Sequence, residues 1–134
     1  MYPDLKLFIA GEWRKADLDL PVINPATEEE LGRLPCATIK DLDDAVEAAV
    51  KGFEIWRKTS PRERAGTLMR AAALMRERQE DIAKSITLEH GKPLNQARLE
   101  VIRGVEFFEW DAGEAMRTYG RTIPATQGQK LAVH

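Results

Sequence analysis

The spacing of apolar residues along the chain changes near residue 38. Before that point, short β-prone runs are separated by Ala10-Gly11 and by Asn24-Pro25-Ala26-Thr27, which are both turn signals. The runs themselves are Leu7-Phe8-Ile9 with Trp13, and Val22-Ile23 with residues 31–34. Two β-hairpins are therefore predicted. After that point apolar residues recur every three or four positions, which predicts amphipathic helices.

Hydroxyl residues mark the start of the first two predicted helices. Thr38 is followed three positions later by Asp41, and Ser60 is followed by Pro61 and then Glu63. In such a capping box the hydroxyl and the acid each bond a backbone N–H that the helix leaves free. The first helix is predicted to bury one face and to expose the other. The apolar face is Leu42, Val46, Ala49, Phe53 and Trp56, and the solvated face is Asp43, Asp44, Glu47, Lys51 and Glu54.

The last predicted helix is the longest, from Leu94 to Tyr119. It follows a stop signal, His90-Gly91-Lys92-Pro93, in which Gly can adopt the left-handed conformation and Pro cannot extend a helix. Two apolar stripes run along it, which predicts contact on two sides. The first stripe is Leu94, Ala97, Val101, Val105, Phe108, Ala112, Ala115 and Tyr119, and the second is Leu99, Phe107 and Trp110, interrupted by Arg103.

Two further strands are predicted after this helix, over residues 122–124 and 130–133. The second of them is followed by no partner strand, and a strand needs a partner for its ladder of hydrogen bonds. The chain is therefore expected to be a piece of a longer protein.

Length and composition limit the classes of function that the chain can have. The chain has 134 residues, enough for one domain, with 20 Lys plus Arg against 22 Asp plus Glu. That near-balance argues against a nucleic-acid binder. No apolar run approaches the roughly 20 residues of a membrane helix, and the first residues do not form a secretory signal. A single cysteine fits a reducing compartment, so the cytoplasm is expected.

The common chemical motifs are missing from the sequence. It contains no glycine-rich phosphate loop, no Cys-x-x-Cys or His-Glu-x-x-His metal motif and no Gly-x-Ser-x-Gly nucleophile turn. Cys36 is the one thiol and lies just before Thr38, where a helix N-terminus can lower a thiol pKa. A lone cysteine at the end of a strand is more often a small packed hydrophobe. From the residues alone, two functions therefore stay open: a stand-alone helical protein-interaction module and a small enzyme that uses Cys36.

The order of the segments resembles the N-terminal part of the aldehyde dehydrogenase superfamily. The order and spacing over nearly the whole chain, rather than any single motif, make the resemblance specific. The segments that carry it are Leu7-Phe8-Ile9-Ala10-Gly11-Glu12-Trp13, Val22-Ile23-Asn24-Pro25-Ala26-Thr27, residues 41–49 with Phe53 and Trp56, Arg64 with the helix after it, Glu89-His90-Gly91-Lys92-Pro93-Leu94 with Ala97 and Glu100, and Tyr119-Gly120-Arg121-Thr122-Ile123-Pro124. The region from Ala97 to Trp110 is most similar to the succinate-semialdehyde dehydrogenase branch.

The resemblance implies an α/β parent fold of several hundred residues, of which this segment is mostly α-helical with short β-hairpins. Residues 1–119 are then the N-terminal part of the cofactor-binding domain, and residues 120–134 begin the arm that joins subunits. Members oxidise an aldehyde to a carboxylic acid with NAD or NADP, through a cysteine thiohemiacetal and a thioester. The implied catalytic residues and cofactor-binding core lie beyond residue 134. No catalytic residue, no cofactor-binding residue and no activity are therefore expected in this chain alone.

The resemblance also places two sites on the chain. Some relatives bind a monovalent cation, and that site maps to the backbone of Val22 and Ile23 and to the carboxylate of Glu89. In relatives the long helix lines the mouth of the substrate tunnel, which maps to Leu99 and Arg103. Arg103 can attract the free carboxylate of a semialdehyde. The alternative is a salt bridge from Arg103 to Glu100, Glu106 or Glu109.

The partners that the resemblance implies are the rest of the same polypeptide, further copies in a homo-oligomer and a small-molecule aldehyde. Neither nucleic acid nor a membrane is expected as a partner.

Overall fold

The computed structural model describes residues 2–124 and 130–133, and side chains within residues 2–120. Four helices and three antiparallel strand pairs follow one another along this part of the chain, which confirms a mostly helical segment with short hairpins. The strands are β1 (Leu7–Ile9), β2 (Glu12–Arg14), β3 (Asp19–Ile23), β4 (Glu30–Pro35), β5 (Arg121–Pro124) and β6 (Lys130–Val133). The helices are α1 (Ile39–Trp56), α2 (Pro61–Glu77), α3 (Gln79–His90) and α4 (Leu94–Ala115).

Both predicted N-terminal hairpins are present. In the β1–β2 turn Ala10 and Gly11 have φ angles of 55° and 85°, and positive φ at both central residues matches the right-handed twist of the strands. Between β3 and β4 the pairing shifts by one residue at Val22 and Ile23, which leaves Leu31 as the extra residue of a β-bulge. The bulge disturbs the ladder at the two residues to which the resemblance assigns the cation site.

The predicted caps of α1 and α2 are confirmed. The Thr38 hydroxyl accepts a hydrogen bond from the Asp41 N–H, and the Asp41 carboxylate accepts one from the Thr38 N–H at 2.9 Å. Ser60 and Glu63 repeat this arrangement at the start of α2, with Pro61 in the first turn. The Thr38 and Ser60 hydroxyls also donate to these carboxylates, and these bonds, followed by the backbone bonds, lower the pKa values of Asp41 and Glu63 below their ordinary values.

The core lies where α4 packs against α2 and α3, as the first stripe of α4 predicts. Ala83 of α3 and Ala97 of α4 are fully buried, and Val101 and Val105 extend the contact along α4. Small side chains at the crossing let the helix backbones approach closely. At Gly104 an added Cβ would lie 3.1 Å from the Met75 methyl group of α2, so this crossing is also tight.

The orientation of α1 differs from the prediction. The helix touches β1, and Asp44, predicted to be solvated, accepts a hydrogen bond from Arg14 of β2 at 2.8 Å. Bonds from Lys40 and Arg14 lower the pKa of the Asp44 carboxyl. The apolar face instead faces outward, with Val46 55% and Phe53 61% exposed. The predicted amphipathic helix is therefore correct, but its apolar face has no partner among the described residues.

The end of α4 and the pairing of the last strand also differ from the prediction. The helix ends at Ala115 rather than at Tyr119, since Met116 and Arg117 bond carbonyls only three residues back and tighten the chain into a turn. The second apolar stripe lies on a separate, exposed face, with Trp110 68% exposed, so residues 2–120 do not make the contact predicted on that side. The last strand has a partner, because β6 pairs antiparallel with β5.

Arg64 holds the turn between α1 and α2. Its guanidinium donates to the backbone carbonyl of Thr59 at 2.9 Å and to that of Arg57 at 3.5 Å, and it lies 6.0 Å from the centre of the Trp56 ring. The last carbonyls of a helix have no partner within the helix, so these bonds satisfy groups near the end of α1. The resemblance singled out Arg64, and the structure gives it a structural role.

A bidentate ion pair joins α3 to α4. Arg98 donates to the two oxygens of Glu80 at 2.7 and 2.8 Å, and these bonds hold the pKa of the Glu80 carboxyl below its ordinary value of 4.5. A carboxyl whose pKa is lower in the folded state stabilises the fold above its unfolded-state pKa. This contribution is lost as the pH falls through the folded-state pKa.

We therefore expect Glu80→Gln to reduce the pH dependence of stability below pH 4.5. The measurement is urea unfolding at a series of pH values. The free energy of unfolding should fall more steeply with decreasing pH for the unaltered chain than for the variant. Glu77→Gln is the control, because Glu77 is exposed and makes no ion pair with the described side chains. Equal acid sensitivity of Glu80→Gln and the unaltered chain would contradict the assignment.

Candidate functional site

Arg103 lies on the exposed face of α4 and makes no ion pair within 4.0 Å with any side chain of residues 2–120. Two of the three acids proposed as its partners are taken by other cations. Glu100 bonds Lys92, and Glu109 accepts from Arg76 at 2.7 Å. The alternative expectation of a salt bridge to Glu100, Glu106 or Glu109 is therefore wrong for the described residues. With respect to the side chains of residues 2–120, the guanidinium keeps its five donors available for another anion.

The surface around Arg103 has an open concavity on each side. One, of about 290 Å³, is lined by Arg103, Glu106, Phe107 and Trp110. The other, of about 470 Å³, is lined by Lys92, Gln96, Leu99, Glu100 and Arg103. We call these lining residues together the Arg103 surface. It combines a cation with exposed apolar side chains, and it brings together Leu99 and Arg103, the two predicted tunnel residues.

A larger concavity, of about 530 Å³, lies between the β1–β2 turn and α1. Its two cations are already neutralised, because Arg14 bonds Asp44 and Lys51 donates to Glu47 at 2.6 Å. An anionic substrate would therefore have to break an existing ion pair to bind there. The Arg103 surface is the better candidate for binding an anion.

The predicted cation ligands come from two elements that the structure brings together. Glu89 is the next-to-last residue of α3, and Val22 and Ile23 flank the bulge in the β3–β4 hairpin. Gly91, with a φ of 74°, ends α3 directly against the turn of that hairpin, where an added Cβ would lie 3.1 Å from Pro25 Cγ. Carboxylate and backbone carbonyl oxygens suit a hard cation. The Glu89 carboxylate and the backbone carbonyls of Val22 and Ile23 are therefore chemically suited to the predicted monovalent cation.

Tyr2, which was not predicted from the sequence as a site residue, connects α3 to the β3–β4 hairpin. Its hydroxyl donates to Glu89 Oε1 at 2.8 Å. Its ring lies on Gly32, where an added Cβ would come within 2.8 Å of Tyr2 Cδ1. Burial, followed by the bond to Glu89, raises the pKa of Tyr2 to about 12, so the hydroxyl stays protonated and donates at neutral pH. A glycine inside a strand was the available signal, because it often marks a close approach by another group.

The N-termini of α1 and α2 are poorly suited to a phosphate group. A phosphate binds free N–H groups at a helix N-terminus, but here the Thr38 and Ser60 hydroxyls accept from the N–H groups of Asp41 and Glu63, and the two carboxylates would repel an anion. The N-termini of α3 and α4 have no side-chain cap. Among the described residues no group of three or more His, Cys, Asp or Glu side chains is placed to hold a metal ion. None of the helices in the described part is long and apolar enough to cross a bilayer.

Cys36 follows β4 and is half-buried. Its N–H donates to the carbonyl of Leu18 at 2.8 Å, which continues the pairing beyond the end of the hairpin. Its backbone therefore extends the pairing of the second hairpin by one residue pair.

Comparison with known proteins gives the family. The profile of the aldehyde dehydrogenase family matches residues 13–134. The chain is 44% identical over 128 residues to a 3-sulfolactaldehyde dehydrogenase of Pseudomonas putida, a match that covers 94% of the chain and 26% of that protein. It is 40% identical over 127 residues to an NADP-dependent succinate-semialdehyde dehydrogenase of Escherichia coli, covering 93% of the chain and 26% of that protein.

Comparison with solved structures supports the same family. The crystal structure of succinate-semialdehyde dehydrogenase from Burkholderia pseudomallei superposes with a TM-score of 0.90 at 35% identity, over 95% of this chain and 27% of that one. The chain belongs to the aldehyde dehydrogenase family. It spans about a quarter of the length of the curated relatives that it matches.

Proposed function

We propose that the complete protein is an NAD(P)-dependent aldehyde dehydrogenase, and that its substrate carries an anionic group at the end distant from the aldehyde. The observation that carries this proposal is Arg103, which lies without an ion-pair partner in residues 2–120, beside the exposed rings of Phe107 and Trp110. A guanidinium in this setting binds a carboxylate or a sulfonate in the bidentate manner. The names of the two relatives support the same class, since one acts on a sulfonated aldehyde and the other on a semialdehyde.

In the proposed site the described side chains bind and orient the substrate. Arg103 holds the distal anion, and Leu99 and Phe107 contact the apolar part of the molecule. The bond from Lys92 neutralises Glu100, which removes one nearby negative charge that would repel the substrate. Fixing the distal end positions the aldehyde carbon for its reaction.

The oxidation itself is assigned to residues outside 1–134. We propose that it proceeds through a cysteine thiohemiacetal and a thioester, with NAD or NADP as oxidant. Neither Cys36 nor any helix N-terminus described above is given a part in it. The chain alone is then inactive.

The rest of the polypeptide is proposed to cover the exposed apolar faces of α1 and α4. Residues 1–119 belong in this account to the cofactor-binding domain, and residues 120–134 begin an arm that joins subunits of a homo-oligomer in the cytoplasm. A monovalent cation at Val22, Ile23 and Glu89 fixes the end of α3 against the β3–β4 hairpin.

The test is a substrate comparison on the product of the complete reading frame that contains residues 1–134. Initial rates of NADH and NADPH formation give kcat/KM for succinate semialdehyde and for butanal, which has the same number of carbons and no charge. We expect succinate semialdehyde to be preferred by about 100-fold, the value of one well-placed charge-assisted contact. Equal kcat/KM values for the two aldehydes would overturn the proposed substrate class.

The exposed face of α1 is also what the alternative function, a stand-alone helical interaction module, requires. That module would be a stable protein of 134 residues whose apolar face binds a partner. A single sharp melting transition of the isolated chain as a monomer favours the module. A broad transition or self-association of the isolated chain favours a missing cover.

A further inference from the structure

Tyr2 forms a contact between parts of the chain that are 87 residues apart. Its hydroxyl donates to Glu89 Oε1 at 2.8 Å, while its ring lies on Gly32 of β4. Gly32 pairs with Val22, one of the two backbone positions of the proposed cation site. A single side chain near the N-terminus therefore contacts Glu89 and the strand that pairs with Val22.

The exposed Glu89 carboxylate has one oxygen available for a cation. It lies one residue from the C-terminal end of α3, where the helix dipole already places partial negative charge. Among the side chains of residues 2–120 it has no ion-pair partner, and Tyr2 is its one hydrogen-bond donor. Glu89 Oε2 has no partner in that part of the chain. A positive charge at this oxygen relieves the repulsion.

We propose that Tyr2 is a positioning residue for the monovalent cation: it fixes the Glu89 carboxylate through one oxygen so that the other oxygen binds the ion beside the Val22–Ile23 bulge. This inference rests on the cation site of the proposed function. It goes beyond that site by giving the N-terminal segment a part in building it. Partners that orient a metal ligand typically change metal affinity by about 10- to 100-fold.

Gly32 makes the proposal testable without removing a polar group. Because a Cβ at residue 32 would lie 2.8 Å from the Tyr2 ring, Gly32→Ala forces the ring away from its present position. Tyr2→Phe removes only the hydroxyl. The two variants disturb the same bond by different means, so both are expected to weaken cation binding and the double variant to weaken it little further.

The experiment measures the thermal unfolding midpoint of the product of the complete reading frame as KCl replaces tetramethylammonium chloride at constant ionic strength. For the unaltered protein we expect a saturable rise of the midpoint with K⁺. Tyr2→Phe and Gly32→Ala should need about tenfold more K⁺ for half of this rise, and Glu89→Gln should abolish it. Tyr119→Phe and Gly52→Ala are the matched controls, since Tyr119 is exposed and an added Cβ at residue 52 meets nothing within 4 Å.

The outcomes separate the inference from the site on which it rests. If the unaltered protein and Tyr2→Phe respond at the same K⁺ concentration while Glu89→Gln does not respond, the cation site stands and the role of Tyr2 is refuted. A midpoint that Tyr2→Phe lowers equally in both salts, with an unchanged half-effect concentration, shows a merely structural role and also refutes it. No response of the unaltered protein to K⁺ overturns the cation site itself, and the inference with it.

Discussion

Replacing Arg103 with methionine in the complete enzyme is expected to lower kcat/KM for succinate semialdehyde by about 100-fold, or about 2.7 kcal/mol. Methionine keeps an unbranched apolar stem but removes the charge and the five donors. The substrate carboxylate is then left without its proposed partner. The measurement is the initial rate of NAD(P)H formation, with kcat and KM determined separately.

Three comparisons isolate the charge of Arg103. With butanal, kcat/KM should change less than about threefold, because this substrate has no anion to lose a partner. With succinate semialdehyde, kcat/KM of Arg103→Lys should lie between the values of the unaltered enzyme and of Arg103→Met, since an ammonium keeps the charge but not the bidentate geometry. Arg98→Met removes an arginine of the same helix that is already bound to Glu80, and it should leave the preference between the two aldehydes unchanged. A parallel loss for both aldehydes in Arg103→Met would refute the anion-binding role.

Val105→Asp is expected to destabilise the chain by more than about 3 kcal/mol, whereas Val46→Asp costs less than about 1 kcal/mol. The substitution is the same, but Val105 is 1% exposed in the α2–α4 contact and Val46 is 55% exposed on α1. A carboxylate at residue 105 loses its hydration without gaining a partner. Urea unfolding of the isolated chain measures both free energies.

The same pair of variants tests whether the outward face of α1 is covered in the complete protein. There, Val46→Asp should lower the thermal unfolding midpoint nearly as far as Val105→Asp does, because the proposed cover would have to bury the new charge. If Val46→Asp is harmless in the complete product as well, the α1 face is a free surface. The proposal that the rest of the polypeptide covers it would then be withdrawn.

Local chemistry made the helix starts and the hairpins predictable. Thr38 with Asp41, and Ser60 with Glu63, form their caps from residues three positions apart, so neighbouring sequence suffices to identify them. The turn at Ala10-Gly11 is equally local, as is the left-handed Gly91 that ends α3. The first stripe of α4 was predictable because its small and apolar residues keep helical spacing over the whole contact.

The interactions between distant elements were not predictable. Periodicity identifies an apolar face on α1, but it does not say that the opposite face, through Asp44 and Arg14, holds the helix on the first hairpin. The pairing of Glu100 with Lys92 and of Glu109 with Arg76 depends on how α4 lies against its neighbours, and this pairing leaves Arg103 available. Tyr2 and Glu89 meet across 87 residues, and no local pattern connects them.

The central claim is that these hairpins and helices form an outer part of an aldehyde dehydrogenase and that its reaction centre is supplied by other residues. Titration of NAD⁺ and NADP⁺ into the purified 134-residue chain, followed by calorimetry, tests this claim most directly. We predict no saturable heat at millimolar cofactor, because the cofactor-binding core is proposed to lie outside residues 1–134. Binding with a micromolar Kd by this chain alone would contradict it.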